Sequence, residues 1–329
     1  MTQKVWLVEE RGGRFEKRDV ARPIPGPKQA LVRIAAAGVN PLDVKIRAGA
    51  AEHAWQPLPA VLCVDMAGTI AEVGPGVRNF EPGDEVYGMV GGVGGLQGTL
   101  AEFVAADVDL LAHKPQNLSM CEAAALPLSV ITAWEGLVDR ANVHEGQKVL
   151  IPAGAGGVGH IAIQIARAFG ATVFATVSPA KKNVVEDLGA SAIDYTSTSV
   201  AAYVNACTGG EGFDIVYDTV GGTTLDASFA SAKCYTGHVL SSLGWGSHSL
   251  GPLSFRGATY SGVFTLLPLI TGECRAHHGE ILARAASLAE LGRLKPRLSQ
   301  ERFTLSTLEA AFARVEAGSL GKVVVEIGA

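Results

Sequence analysis

The sequence predicts an α/β protein in which a doubly wound parallel sheet is inserted into a distorted, barrel-like β domain. Three observations lead there. From Lys148 onward, short apolar runs alternate with helical segments, as parallel strands joined by crossover helices do. Before about residue 120 the chain instead shows short strand-like runs punctuated by Pro and Gly, as in Pro23-Ile24-Pro25-Gly26-Pro27, Gly74-Pro75-Gly76 and Pro82-Gly83-Asp84. The segment Gly154-Ala155-Gly156-Gly157-Val158-Gly159 lies between an apolar strand-like run and an apolar helix, the setting in which G-x-G-x-x-G is informative.

The elements follow in order. Strands are expected at 4–8, 30–36, 68–73, 84–89 and 100–105, with little helix among them. Ser119 and Glu122 have capping-box spacing before an apolar run, so a helix starts there. Pro127 interrupts it, and a second helix is expected at about 129–140. The alternating region gives strands at 148–152, 172–177, 192–194, 213–218 and 238–243, with helices at 160–169 and 181–188. Helices at 280–291 and 308–317 and a strand at 322–327 close the chain. Because the nucleotide-type unit sits mid-chain, the flanks are expected to form one second domain: 1–123 with 265–329, around 124–264.

Composition narrows the function. With 329 residues, about two domains are expected. Hydrophobic content of 48% and a net charge of -5 exclude a disordered chain. The acidic balance argues against nucleic-acid and anionic-membrane partners. Cys63, Cys121, Cys207, Cys234 and Cys274 are odd in number and form no C-x-x-C pair, so reduced thiols and a cytoplasmic location are expected. The start, MTQKVWLVEE, has no apolar core of a signal peptide. The uncharged run 149–166 holds four glycines and a proline, which fits a strand-turn-helix better than a membrane span.

The glycine turn has a specific physical meaning. Without β-carbons at Gly154, Gly156 and Gly159 the backbone turns tightly and a pyrophosphate can approach a helix N-terminus. About 20 residues later an acid would grip a ribose 2′-hydroxyl. The sequence there is Thr176-Val177-Ser178-Pro179-Ala180-Lys181-Lys182, with no acid. Ser178 and a lysine suit a 2′-phosphate, so NADPH is the expected cofactor. The alternative for Lys181 and Lys182 is a solvated helix start.

Further segments resemble the zinc-independent medium-chain dehydrogenases/reductases of the quinone oxidoreductase group, and within it the alkenal/enone reductases. They are Gly38-Val39-Asn40-Pro41-Leu42-Asp43-Val44-Lys45, Asp65-Met66-Ala67-Gly68, Ala125-Leu126-Pro127-Leu128, Thr132-Ala133-Trp134, the glycine loop, Leu188-Gly189-Ala190, Ile193-Asp194-Tyr195 and Gly321-Lys322-Val323-Val324-Val325. The resemblance implies a GroES-like barrel completed by the C-terminal segment, a Rossmann domain, and an active site in the cleft between them. It assigns Gly156, Gly157, Val158 and Gly159 to the pyrophosphate, beside Gly154 of the glycine spacing. Ser178, Lys182 and Tyr195 are assigned to the adenosine 2′-phosphate, and Thr132, Leu243, Phe264 and Thr265 to the nicotinamide pocket. Lys322 is matched to a lysine near the cofactor. A homodimer is implied as well.

Compared with zinc-dependent relatives, Asn40 stands where a cysteine ligand belongs, and Cys63-Val64-Asp65 replaces Gly-His-Glu. Valine has no lone pair to offer a metal, so no metal site is expected. The remaining chemistry is hydride addition to an already electrophilic carbon of a quinone, enone or enal. Lys45, Asn40 and Asp65 are the candidate catalytic residues; the resemblance places Lys45, in a loop where Asp43 or Asp65 orients it, as stabiliser of the developing oxygen anion, as proton donor or as a contact to the nicotinamide ribose. The bland alternatives are a solvated face for Lys45, a plain turn residue for Asn40 before Pro41, and a local cap for Asp65. His277-His278 reads as a solvated helix start, and 243–255 as a mobile substrate-side loop. Two other functions compete: a non-catalytic NADPH-binding protein of crystallin or RNA-associated type, and an enoyl-thioester reductase.

Overall fold

The computed structural model describes residues 1–328 as two compact units: Met1–Leu128 together with the chain from Leu266 onward, and Ser129–Thr265. The first unit opens with β1 (Thr2–Val8) and β2 (Phe15–Ala21), antiparallel from Thr2↔Ala21 to Val8↔Phe15. β3 (Gln29–Val39) is its hub. After it come α1 (Pro41–Arg47), β4 (Ala60–Val61), β5 (Asp65–Val73), β6 (Glu85–Met89), β7 (Phe103–Asp107), β8 (Leu111–His113) and α2 (Met120–Ala124). β4 pairs with β1, and β5 runs beside nearly the whole of β3. Register shifts at Leu31/Val32 and Ile34/Ala36 bend that pairing, as bulges do. Ser119 caps α2: its hydroxyl accepts the Glu122 N–H at 3.3 Å while Glu122 accepts the Ser119 N–H at 2.8 Å.

At the start of the second unit, α3 (Pro127–Trp134) runs on into a π-helical turn at Glu135–Arg140. Proline fits the first helical position because its missing N–H would have had no helical partner. There follow β9 (Lys148–Pro152), α4 (Gly159–Ala168), β10 (Thr172–Val177), α5 (Lys182–Asp187), β11 (Ser191–Asp194), α6 (Val200–Thr208), β12 (Ile215–Asp218), α7 (Thr223–Ser231), β13 (His238–Ser241), α8 (Gly251–Ser254) and β14 (Thr259–Gly262). The six strands are all parallel, in the order β11-β10-β9-β12-β13-β14. The order reverses between β9 and β12, and such a switch point opens a crevice at the carboxyl ends of the strands. Leu150, Phe213, Val216 and Phe229 are packed in the core of this unit, with Phe174 edge-on to Phe213.

The chain then returns to the first unit with α9 (Leu267–Thr271), α10 (Arg275–Glu290), β15 (Phe303–Thr304), α11 (Leu308–Glu316) and β16 (Val323–Glu326). β16 pairs antiparallel with the second half of β3, and β7 pairs with its first half. β3 therefore has three partners, and the C-terminal strand completes the sheet.

Several expectations need correction. The segment carrying Asn40 and Lys45 is a helix, α1, not a loop, because Pro41 at its first position preorganises the backbone. The strand expected at 100–105 lies at Phe103–Asp107, since residues 97–100 turn back toward Val61 and Leu62. His278 is fully buried on α10, whereas His277 is exposed. The 243–255 segment contains α8. α6 escaped the sequence reading, although Ser199 and Gly209 mark its ends: the Ser199 hydroxyl accepts the Ala202 N–H, and Gly209 takes the left-handed C-terminal position.

Candidate active site

The glycine turn joins β9 to α4. A Cβ at Gly154 would stand 2.5 Å from the Ala175 Cβ on β10, and one at Gly159 would stand 2.4 Å from the Ala153 carbonyl oxygen. Only glycine fits these two places. Gly156 and Gly157 are exposed on the outside of the turn, Val158 is half-buried, and α4 begins at Gly159. The N-terminus of that ten-residue helix is where backbone N–H groups and the macrodipole favour an anion.

A cavity of about 450 Å³ lies along this turn, lined among others by Gly156, Ser178, Lys181, Tyr195 and Thr224. Ser178 directly follows β10 and Tyr195 directly follows β11, so parallel strands deliver both to one edge. No aspartate or glutamate lines it. The nearby Asp194 carboxylate is occupied with Ser197 and Thr196, whose hydrogen bonds hold its pKa below the usual carboxylate value. Of the two lysines, Lys181 lines the cavity. Lys182, the sequence-based choice, begins α5 and has its Nζ 3.7 Å from Glu186. Their adjacency hid the difference, because the helix starts between them.

The second half of the sheet carries another polar group. Asp218 ends β12 and is fully buried. Its carboxylate accepts the Gly221 N–H and the Ser241 hydroxyl, each at 2.8 Å, and the Val220 N–H at 3.3 Å. Burial raises its pKa, and these hydrogen bonds oppose the rise. The Ser241 hydroxyl in turn accepts the Leu243 N–H at 3.1 Å, which fixes the start of the Leu243 loop. The Thr132 and Thr265 hydroxyls are 3.5 Å apart and buried, while Phe264 is partly exposed beside Trp245. Sequence reasoning missed Asp218, although its place at a strand's carboxyl end was a usable signal.

In the first unit, Asn40, Asp43, Cys63, Asp65 and Lys322 form a buried cluster. Asn40 Nδ2 donates to Asp65 at 2.9 Å, and its Oδ1 accepts from Lys322. The Lys322 Nζ is 3.8 Å from Asp65, and Asp65 also accepts the Leu128 N–H at 2.8 Å. The Asn40 N–H donates to Asp43 at 2.7 Å, leaving Asp43 Oδ1 with no hydrogen-bond partner among the described residues. Burial, reinforced by Asp65, pushes the Asp43 pKa up to about 7, against the Asn40 N–H. Burial also pushes the Cys63 thiol up. Asp65 therefore orients a lysine, but Lys322 rather than Lys45. Asn40 is 1% exposed and Asp65 is fully buried. Lys45 is exposed on α1, with His53 close enough to feel its charge.

This donor set does not fit a zinc ion. No group of three or more His, Cys, Asp or Glu among the described residues could hold a metal. Where the cluster does gather acids and a thiol, the cation within reach of Asp65 is Lys322.

Residues 26–116 match the family model described as alcohol dehydrogenase GroES-like domain, and residues 157–273 the one described as zinc-binding dehydrogenase. A 2-methylene-furan-3-one reductase of Solanum lycopersicum is 36% identical, covering 93% of this chain and 74% of its own. A chloroplastic NADPH-dependent alkenal/one oxidoreductase of Arabidopsis thaliana is 34% identical, covering 98% and 79%. The crystal structure of an alcohol dehydrogenase superfamily protein from Novosphingobium aromaticivorans is 53% identical with a TM-score of 0.97, covering 98% and 99%.

The buried Asp43 has a pH signature. A carboxyl whose pKa is higher folded than unfolded binds more protons in the native state between about pH 4 and 7, so its contribution to stability falls as pH rises through that window. Asp43→Asn keeps an acceptor for the Asn40 N–H and removes the ionisation. Thermal midpoints measured from pH 5 to 8 are expected to fall further for the wild type than for Asp43→Asn; parallel curves would refute the assignment.

Proposed function

The chain belongs to the medium-chain dehydrogenase/reductase family, and from that membership we propose that it is an NADPH-dependent oxidoreductase acting on small conjugated carbonyl compounds. Its acceptor is a quinone or the β-carbon of an α,β-unsaturated ketone or aldehyde, reduced without zinc. The observation behind this reading is the acid-free cavity beside the glycine turn, with Ser178, Lys181 and Tyr195 on its wall. A carboxylate there would repel a 2′-phosphate, whereas a lysine and two hydroxyls attract it. The names of the tomato and Arabidopsis relatives describe the same class of chemistry.

NADPH, when bound, supplies the hydride. The exposed turn Gly156-Gly157 and the start of α4 receive the pyrophosphate, and Ser178, Lys181 and Tyr195 receive the 2′-phosphate. Thr132, Leu243, Phe264 and Thr265 border the nicotinamide. Charge that develops on the acceptor's carbonyl oxygen needs a donor, and Lys45 is the exposed ammonium on α1 that supplies it. Asn40, Asp65 and Lys322 hold the start of that helix in place.

Two further parts of the reading are a homodimer and a cytoplasmic location. β14 is an edge strand of the parallel sheet, with Phe255 and Tyr235 highly exposed near it, so two copies can pair edge to edge. Sedimentation equilibrium is expected to give twice the chain mass; a monomer at micromolar concentration would exclude the pairing. The free cysteines fit a reducing compartment, and no helix among the described residues is long and apolar enough to cross a membrane.

Following NADPH absorbance with a panel of quinones, enones, enals and enoyl-CoA thioesters tests the function. Oxidation with the first three classes is expected, and none with any acceptor would favour the non-catalytic alternative. In the same assay Lys45→Met is expected to lower kcat/KM by about 10²–10³-fold, the scale of one lost oxyanion donor. Unchanged turnover would remove Lys45 from the mechanism. Lys181→Ala is expected to weaken NADPH binding by roughly 10–100-fold with little change for NADH, and Lys182→Ala by less than about threefold. The reverse order would return the 2′-phosphate to Lys182.

A further inference from the structure

We propose that Tyr217 is a positioning residue for the nicotinamide half of the cofactor, acting through the backbone of Thr132. The inference rests on the NADPH reading above and identifies the group that holds one wall of that site.

Tyr217 is the penultimate residue of β12 and is completely buried. Its hydroxyl donates to the Thr132 carbonyl oxygen at 2.6 Å, a normal O–H···O distance. A carbonyl within a helix ordinarily accepts from its own helix. Here the helix changes character just beyond: α3 widens into the π-helical turn Glu135–Arg140, where the Ala141 N–H bonds to the Gly136 carbonyl five residues back. Such turns are uncommon and collect at functional sites. Gly136 is the second residue of that turn, and a Cβ there would lie 2.8 Å from Tyr217 Cζ. The glycine makes room for the ring, the ring carries the hydroxyl to Thr132, and the widened helix accommodates both.

The arrangement is aimed at the second half of the nucleotide. The cavity that suits the adenosine end is lined from the ends of β9, β10 and β11 and, on its far side, from Val220, Thr223 and Thr224 after β12; no residue of α3, β13 or β14 lines it among the described residues. A dinucleotide crossing the switch point places its other ring over the carboxyl ends of β12, β13 and β14. Thr265 lies just beyond β14, after the Val263 N–H has extended the ladder to the Ser241 carbonyl. The Thr132 hydroxyl, 3.5 Å from that of Thr265, is thereby held at the same end of the sheet. Tyr217 sets the height of Thr132 there without touching the ligand itself.

Tyr87 provides a matched control. It too is fully buried, and its hydroxyl donates to a backbone carbonyl, that of Leu282, also at 2.6 Å, but in the first unit. Tyr217→Phe and Tyr87→Phe therefore remove the same bond at the same length. Calorimetry with NADPH and with adenosine 2′,5′-diphosphate, which lacks the nicotinamide half, separates the possibilities. For Tyr217→Phe the NADPH Kd is expected to rise about five- to tenfold, and for Tyr87→Phe less than about twofold, in line with the net worth of one hydrogen bond. The Kd for adenosine 2′,5′-diphosphate is expected to stay within about twofold for both. An NADPH Kd unchanged in Tyr217→Phe overturns the inference, as does an equal loss for both ligands, since a general loss of structure would weaken the adenosine end as well. Wild-type protein that binds neither ligand overturns the NADPH reading, and the inference with it; wild-type binding with an inert Tyr217→Phe overturns the inference alone.

Discussion

Close backbone approach at the β9–α4 turn is the constraint on which the nucleotide unit depends. With a Cβ at Gly154, β9 and β10 could not keep their spacing at that point. With one at Gly159, α4 could not start against Ala153. The turn puts the helix N-terminus, Ser178 and Tyr195 at one sheet edge because parallel strands all end on the same side. An anion site then follows from geometry already required for packing.

The first unit solves a different problem. Its C-terminal strand, β16, must find the second half of β3 after a long excursion of the chain. Lys322 sits one residue before β16 and reaches Asn40, one residue after β3, while Asp65 opens β5. Three strand ends thus meet at one buried ionic contact. Burying such a pair is expensive, and removing one partner leaves the other charged without compensation. A contact of this kind fixes which strand ends come together more than it adds to net stability. Asp43, with one oxygen unpartnered, shows the cluster carrying more acid than its single lysine can neutralise.

The two sites divide their work between charge and shape. Along the cavity beside the glycine turn, Lys181 and Tyr195 are exposed and Ser178 is half-buried. Around Thr132 and Asp218 the polar groups are buried and bonded to backbone, so they define where loops stand. The Asp218 carboxylate and the Ser241 hydroxyl are both hydrogen-bonded, as low-dielectric surroundings demand.

The alternation after Lys148, the glycine spacing, the Ser119–Glu122 cap and the missing acid after β10 were legible along the chain. Each is a local pattern: hydrophobic periodicity, a cap, or a residue type at a fixed distance from a turn. Other features depended on where distant segments meet. Lys322 and Asn40 lie 282 positions apart and join only because β16 pairs with β3. That Lys181 lines the cavity while Lys182 begins α5 is a difference of a single residue in backbone geometry. Tyr217 falls inside the strand expected at 213–218, and nothing local marks Thr132, 85 positions away, as the partner of its hydroxyl. Periodicity reports which face of an element is buried, whereas the partner a buried polar group finds there is set by long-range packing.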